Sequence, residues 1–432
     1  MSITLSQHQL DIVNQTVDAL NLDSYTHTLA VLTGVAGSGK TSCIASIMDI
    51  IADKHGKARK VYLAATTHTA AAILKSTLPP QHSKSCLTAH KLFGIKPSFN
   101  LVNGQEKLIT ANQPLLSSNG VVIIDESSMI NDGFLYAISN IVSRYTLKVL
   151  FVGDYFQLPP VKGQCSIFDT TLPTFHLTTV HRQLAGNPIV KKALEYVDFI
   201  SGSTTVEPSI DTSLDSNGKG IHVLTHQKFI EKFVDKYMNF NAGDRVPVPM
   251  CTYTNAAAIN YNNMIRKATY LLSGATQEYY ENEEFISNTS VISEQGKVIL
   301  DNNEKINIIS YHPYEYEGMH GYKLLVKRSN TTSPTNVEIF TPSNLSTLNA
   351  VLKELKATAV KNKSWTTYYR VKNYVADIRL PFAGTIHKAQ GATFDEIFID
   401  YSNILKCKQV TTRNRLMYVA LTRAKTNVYI SQ

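Results

Sequence analysis

Apolar runs of strand length recur through the first third of the chain, each followed by a helical pattern. Leu29 to Thr33 is the first, and it ends in a glycine-rich turn. Ser42 to Asp53 then places Ile44, Ile47, Met48 and Ile51 on one face, which predicts a helix. Val61 to Ala65, Val121 to Ile124 and Val149 to Val152 are further unbroken apolar runs, and Phe175 to Val180 is a further strand candidate. Strands covered by helices on both faces read this way, so the expectation is an α/β fold built on parallel sheet. From about Glu278 the text turns polar and β-rich. Lys297 to Leu300, Lys305 to Ser310, Tyr322 to Lys327 and Val337 to Phe340 are short strands between Asn, Gly, Pro and Ser turns, a spacing that suits a small barrel. Leu348, Val351, Leu352 and Leu355 mark a helix, and the α/β pattern resumes near Ala376 and closes with Ile397 to Asp400 and Val428 to Ile430. The β-rich stretch therefore reads as an insertion into a second α/β domain. No repeat of fixed short period and no low-complexity tract interrupts this plan.

Composition narrows the class. The 432 residues allow about three domains, and 43% hydrophobic against 18% charged residues excludes a disordered tail. The net charge of +8 permits a polyanion partner as readily as a plain lysine-rich surface. Cys43, Cys86, Cys165, Cys251 and Cys407 form no C-x-x-C pair and are odd in number, which argues against a disulfide framework or zinc site and for a reducing compartment. Met1 to Leu10 lacks the pattern of a secretory signal, and no apolar run reaches the ~20 residues of a bilayer span. The expectation is a cytoplasmic protein (host cytoplasm if phage-encoded) that does not engage a membrane.

The chemistry begins at Gly34-Val35-Ala36-Gly37-Ser38-Gly39-Lys40-Thr41, which matches G-x-x-x-x-G-K-[ST] between a strand and a helix. Glycines let backbone N–H groups curl around phosphates, and the helix N-terminus adds its dipole. Lys40 would reach the β- and γ-phosphates of ATP, and Thr41 would ligand Mg²⁺. Asp125-Glu126 follows the run Val121 to Ile124, so a buried strand delivers two acids beside the phosphate loop. Asp125 would hold Mg²⁺ through its water shell, and Glu126 would orient or deprotonate the attacking water.

Many P-loop proteins are kinases or switches, and three further segments separate this chain from them. They are Gly153-Asp154-Tyr155-Phe156-Gln157-Leu158-Pro159-Pro160-Val161, Thr385-Ile386-His387-Lys388-Ala389-Gln390-Gly391-Ala392-Thr393, and Tyr418-Val419-Ala420-Leu421-Thr422-Arg423-Ala424-Lys425. Gln157, a neutral donor and acceptor, suits a reporter between γ-phosphate and a bound strand. Together with Thr67-His68-Thr69-Ala70 these segments resemble the RecD-like branch (superfamily 1B) of superfamily 1 DNA helicases. The resemblance covers nearly the whole chain and is nearest to the small members encoded by tailed phages.

That resemblance implies two RecA-like P-loop NTPase lobes with ATP in the cleft. A small β-hairpin is inserted in the first lobe and an SH3-like β-barrel in the second. The implied boundaries are 1–180 for the first lobe, with the hairpin at about 94–116, then 181–275, the barrel and its helices at 276–375, and 376–432. Arg423 and, in Thr179-Val180-His181-Arg182, Arg182 would be arginine fingers. His181 stands where many relatives carry an aromatic residue that stacks on adenine. Gln9 resembles the glutamine that reads adenine, with Gln7 as the competing candidate, and Gln390 and Gly391 join the nucleotide site.

The resemblance also implies a grip on single-stranded DNA through Thr66, His68, Thr88, His90, Asn255, His387 and Lys388, chiefly by sequence-blind phosphate contacts. A lone loop histidine or threonine equally serves the local backbone. Asn103-Gly104, flanked by Leu101-Val102 and Leu108-Ile109, predicts a two-residue hairpin turn. In the family this hairpin splits the duplex, and Phe99 would stack on the separating base pair or simply pack. Trp365, Tyr368 and Tyr369 lie beyond the barrel as base-stacking or packing residues. The expected activity is a monomeric, Mg²⁺- and ATP-dependent helicase that moves 5′ to 3′ on single-stranded DNA. It would act at single-strand/duplex junctions in replication, recombination or repair, with a single-strand-binding protein or replisome component as possible partner. The competing readings are a translocase that displaces proteins or drives a recombination complex, and a nucleotide-gated binding switch without unwinding.

Overall fold

The computed structural model describes residues 5–56, 59–83, 86–160, 163–169, 171–178, 186–238, 249–271, 277–329 and 335–432. They form two compact units, one of 1–97, 108–229 and 385–432, the other of 98–107 and 230–384.

The first unit is built on a six-stranded sheet. Its strands are β1 (Thr28–Gly34), β2 (Val61–Ala65), β3 (Cys86–Thr88), β6 (Val121–Asp125), β7 (Lys148–Gly153) and β8 (Thr174–Leu177), in the order β3-β2-β6-β7-β1-β8. Between β3 and β6 a separate two-stranded ribbon intervenes, formed by β4 (Ile95–Phe99) and β5 (Glu106–Thr110). Every neighbouring pair in the six-stranded sheet is parallel. The unbroken apolar runs have the reason the sequence suggested, because successive side chains serve opposite cores. Ala30, Leu32, Ile123 and Leu150 face one core, which the helices α1 (Gln7–Ala19) and α2 (Lys40–His55) close with Val13, Ile44, Ile47 and Ile51. Val31, Ile124, Val149 and Phe151 face the other, closed by Phe134, Ile138 and Ile141 of the helix Asp132–Tyr145. All three phosphate-site segments thus leave the same, carboxyl-terminal edge of a parallel sheet, where ligands of such sheets bind.

The unit also holds strands Ser213–Leu214, Gly220–Leu224, Phe394–Ile399 and Ala424–Ser431. Ala424–Ser431 pairs in parallel with both Gly220–Leu224 and Phe394–Ile399. The helices Pro188–Ser201 and Val410–Leu421 accompany them, and the second is buried along nearly all of Leu416 to Leu421.

The second unit centres on a five-stranded antiparallel sheet in the order Asn336–Pro342, Met319–Arg328, Lys305–Tyr316, Glu284–Ser287, Ile378–Arg379. The central hairpin is longer than its apolar run suggested, with strands of 12 and 10 residues. Its far end, Tyr311 to Tyr316, carries three tyrosines among His312, Pro313 and Glu315, and Pro313 sits where a strand has a neighbour on one side only. Ile306, Ile308, Leu324, Val326 and Ile339 form its core. The helices Leu345–Asn362 and Thr366–Tyr374 follow. Among the described residues, no helix is long and apolar enough to cross a membrane.

Candidate nucleotide site and strand-contacting elements

β1 ends at Gly34, and the chain curls through Gly37 and Gly39 at φ +84° and +87° before α2 begins at Lys40. Only glycine adopts that backbone without strain. At Gly39 space is closed as well, because a Cβ there would stand 2.3 Å from Gln9 Nε2. Lys40 Nζ donates to the carbonyl oxygens of Gly34 (2.7 Å) and Val35 (3.1 Å), so the loop is held folded around its own lysine.

β6 delivers Asp125, whose Oδ1 accepts the Glu126 N–H at 2.9 Å, and Glu126 itself sits at φ +54°. A non-glycine residue in the left-handed region costs on the order of 1 kcal/mol and is held there by its surroundings. Burial, then the Glu126 carboxylate beside it, raises the Asp125 pKa. A cation would relieve both effects. β7 delivers the turn that carries Gln157.

Lys40, Thr41, Asp125, Glu126, Gln157 and Arg423 all line one cleft of about 530 Å³, to which Gly391 and Gln9 also contribute. Glu126 Oε2 and Gln157 Oε1 in this cleft, and Ser38 Oγ of the phosphate loop, are buried with no hydrogen-bond partner among the described residues. Buried polar atoms without partners are rare, and here they cluster around a phosphate cradle. Arg423 is 5% exposed, and among the described residues its guanidinium donates to the Val419 and Ala392 carbonyls and the Thr422 hydroxyl. Among the described residues no carboxylate pairs with it, so the cleft holds a buried positive charge that a polyphosphate would balance. The hydroxyl of Thr41 and the carboxylate of Asp125 are hard oxygen donors of the kind Mg²⁺ takes together with water and phosphate. Nucleotide and metal therefore both fit the residues present.

Several expectations change in detail. The Gln9 amide is engaged on both sides: Oε1 accepts Ser6 N–H in a capping box, and Nε2 donates to Ser38 O at 3.0 Å. It braces the phosphate loop, and a bidentate contact to adenine would have to displace both bonds. Gln7 is exposed and bonds Asp11. Gln390 does not reach the cleft; its Nε2 donates to Leu158 O at 3.2 Å. His181 and Arg182 lie outside the described residues.

Residues to which the sequence assigned no role hold the Gln157 turn. Tyr418, 1% exposed, donates its phenol proton to Asp154 Oδ2 at 2.5 Å and accepts the Ala36 N–H at 2.8 Å. Burial, then the Asp154 carboxylate, pushes the Tyr418 pKa well up, so it remains a donor. Arg415, one helical turn earlier, donates to the carbonyls of Tyr155 (2.5 Å) and Gln157 (2.6 Å). Arg415, Tyr418 and Gln390 thus clamp the turn between β7 and Leu158. The i, i+3 spacing of 415 and 418, at the start of the apolar end of that helix, was the only sequence signal.

The strand-contacting candidates divide. Thr88 caps the helix Ala89–Phe93, accepting Lys91 N–H, and Thr66 donates to Glu126 O at 3.4 Å. The Thr88 hydroxyl thus serves its own helix, and that of Thr66 the backbone beside Asp125. His68 is exposed at the start of the helix His68–Thr77. The His90 ring stacks on Phe134 (4.0 Å, 8°), and desolvation of the ring, then the nearby His68, lowers its pKa. His387 is also lowered by desolvation, and Lys388 is exposed. In the second unit the exposed Asn255 accepts from Arg379.

The hairpin corrects the sequence reading. Its strands stop at Phe99 and resume at Glu106, so the turn is a six-residue loop and not Asn103-Gly104 alone. Asn100 Oδ1 accepts from Val102 and Asn103 N–H, an Asx turn that breaks the strand early. Leu101 and Val102 thereby leave the strand for the loop, where they are 49% and 61% exposed. Phe99 stacks on Tyr369 at 3.9 Å and packs with Trp365. Trp365 N–H donates to Leu101 O, Tyr369 O–H donates to Gly104 O, and the Trp365 ring lies against Gly104 at φ +70°. Phe99, Trp365 and Tyr369 therefore pack on one another, and the last two hold the hairpin loop.

A phosphate loop, paired acids at a parallel-sheet edge and a buried unpaired arginine define a P-loop nucleoside triphosphatase of the RecA-like kind. The model of the AAA domain family matches residues 4–199, and that of the UvrD-like helicase C-terminal domain matches 381–431. The ATP-dependent DNA helicase dda of Enterobacteria phage T4 is 24% identical over 92% of this chain and 93% of its own length. An uncharacterized protein of Acanthamoeba polyphaga mimivirus is 22% identical over 93% of this chain and 95% of its own length. The ATP-dependent RecD2 DNA helicase of Deinococcus radiodurans is 31% identical over 44% of this chain and 23% of its own length. Taken together, the two family models and the helicase relatives support an ATP-dependent DNA helicase of superfamily 1B, the RecD-like branch, related to the phage enzyme.

Proposed function

We propose that this chain couples ATP hydrolysis to 5′-to-3′ movement on single-stranded DNA and separates duplex at a junction, in phage DNA replication, recombination or repair. The observation that carries the reading is the cleft in which Lys40, Thr41, Glu126, Gln157 and Arg423 converge around buried, unpartnered polar atoms. Bound ATP draws Lys40 from the Gly34 and Val35 carbonyls onto its β- and γ-phosphates. Thr41 and Asp125 would hold Mg²⁺, which would neutralise phosphate charge. Glu126 Oε2 and Gln157 Oε1 accept the attacking water's protons and orient it. Arg423 stabilises the charge that develops on the transferred group, with Arg182 as the second finger.

The clamp on the Gln157 turn supports a route out of the cleft. A shift of Gln157 on phosphate release moves Leu158, hence Gln390, hence the preceding His387 and Lys388, which face the strand. On this reading 1–180 is the first RecA-like lobe, with about 94–116 as its strand-separating hairpin. The segments 181–275 and 376–432 form the second lobe, and 276–375 an SH3-like cover with helices. The clamping of the hairpin loop by Trp365 and Tyr369 supports a rigid wedge whose exposed large apolar residues are Leu101 and Val102. The reading is tested by unwinding of a tailed duplex with ATP and Mg²⁺, compared with Lys40→Ala. Strand separation by the natural protein and none by the variant is expected; equal rates would overturn it.

A further inference from the structure

The helical pair that holds the hairpin loop carries more charge than its packing requires. Leu348, Leu355 and Ala359 of the helix Leu345–Asn362 turn inward, and Lys353, Lys356, Lys361 and Lys363 are exposed along its length and at its end. Residues 345–374 contain six cations and one acid, Glu354, a net of +5 in a chain whose total is +8. Arg370 is neutralised by Glu317 at 2.6 Å and Glu294 at 3.9 Å. The four lysines have no ion-pair partner among the described residues. Lys361, in the last turn, has a local reason to be there, because a cation favours a helix C-terminus. Lys353 and Lys356, two turns earlier, have none.

The placement of this surface gives it a direction. Trp365 and Tyr369, which begin the next helix, bond the backbone of Leu101 and Gly104. The Lys372 ammonium lies over the Tyr368 and Tyr369 rings at 5.8 and 5.6 Å. The lysines are therefore fixed relative to the hairpin loop by packing within one unit. From Lys353 to Lys363 a helix rises about 15 Å, the length of four to five base pairs. Lysines give point charges without base readout, which suits a partner of any sequence.

We propose that Lys353, Lys356, Lys361 and Lys363 bind the phosphate backbone of the duplex arm ahead of the hairpin loop. The proposal rests on the reading of that hairpin as the strand separator. The surface holds the duplex against the loop, so that advance of the motor is converted into strand separation.

The test uses the full chain with all four lysines changed to Gln, and a second variant with all four changed to Arg. Fluorescence anisotropy without ATP measures binding to a forked duplex and to its single-stranded tail alone, between 50 and 200 mM salt. The Gln variant should lose about tenfold or more in affinity for the fork, and its slope of log Kd against log salt should fall by about 2 to 3. Its affinity for the tail should stay unchanged, and the Arg variant should match the natural protein on both. Unchanged fork affinity and slope would overturn the proposal and leave these lysines to an acidic protein. Equal loss on fork and tail would overturn it too. Binding is read without turnover, so a chain that fails to unwind for other reasons still reports on this surface.

Discussion

Removing one oxygen from Tyr418 should disable the cleft without deleting any group that contacts nucleotide. Tyr418→Phe keeps the ring in its place and deletes two hydrogen bonds. The first goes to the Asp154 carboxylate, which is fully buried and, among the described residues, otherwise accepts the Phe156 N–H. A buried hydrogen bond to a carboxylate is worth about 1.5–3 kcal/mol. The second comes from the Ala36 N–H, which borders the cleft and regains water, so its loss costs about 1 kcal/mol or less. The phosphate loop and the Gln157 turn then lose their common tie. The expected result is a fall in kcat for DNA-stimulated ATP hydrolysis of about 10- to 100-fold, equivalent to about 1.4–2.7 kcal/mol, with KM for ATP changed far less. A cycle with Asp154→Asn, read by urea unfolding, should give a coupling of about 1.5–3 kcal/mol. Additivity of the two variants, or an unchanged kcat in Tyr418→Phe, would refute the argument that this phenol ties the two loops.

Glu126→Gln keeps the shape of the side chain and removes its capacity as a base. It should retain binding of a fluorescent ATP analogue while hydrolysis falls by about 10² to 10⁴. Gly104→Ala places a Cβ about where the Trp365 ring stands, 2.3 Å away, at φ +70°. It should release the hairpin loop, so that unwinding drops at least tenfold while ATP hydrolysis stimulated by single-stranded DNA is unchanged. Loss of both activities together would place the loop in the motor and not in strand separation.

Features carried by neighbouring residues were legible in the sequence. The phosphate loop needs only a strand, glycines and a helix in order, and Asp125-Glu126 needs only a buried strand before it. Gln157 was legible through its motif. What escaped depends on partners distant in the chain. Gln9 reads as a nucleotide ligand from its motif, but Ser38 O, 29 positions on, takes its amide. The bond from Ala36 to Tyr418 spans 382 positions, and no periodicity announces it. The hairpin was found and its register missed, because the Asn100 side chain competes with the ladder and opens a longer loop than Asn103-Gly104 signals. Phe99 was correctly placed on the hairpin, and its stacking partner Tyr369 became visible only when the fold brought the two together.

The central claim is that this cleft drives directional strand separation. It is tested most directly by unwinding of two duplexes that differ only in carrying a 5′ or a 3′ single-stranded tail, each with ATP and Mg²⁺ and with Lys40→Ala as control. The account predicts separation of the 5′-tailed duplex, little of the 3′-tailed one, and none by the variant. Preference for the 3′ tail would contradict the assigned direction, and unwinding by Lys40→Ala at the natural rate would contradict the mechanism itself.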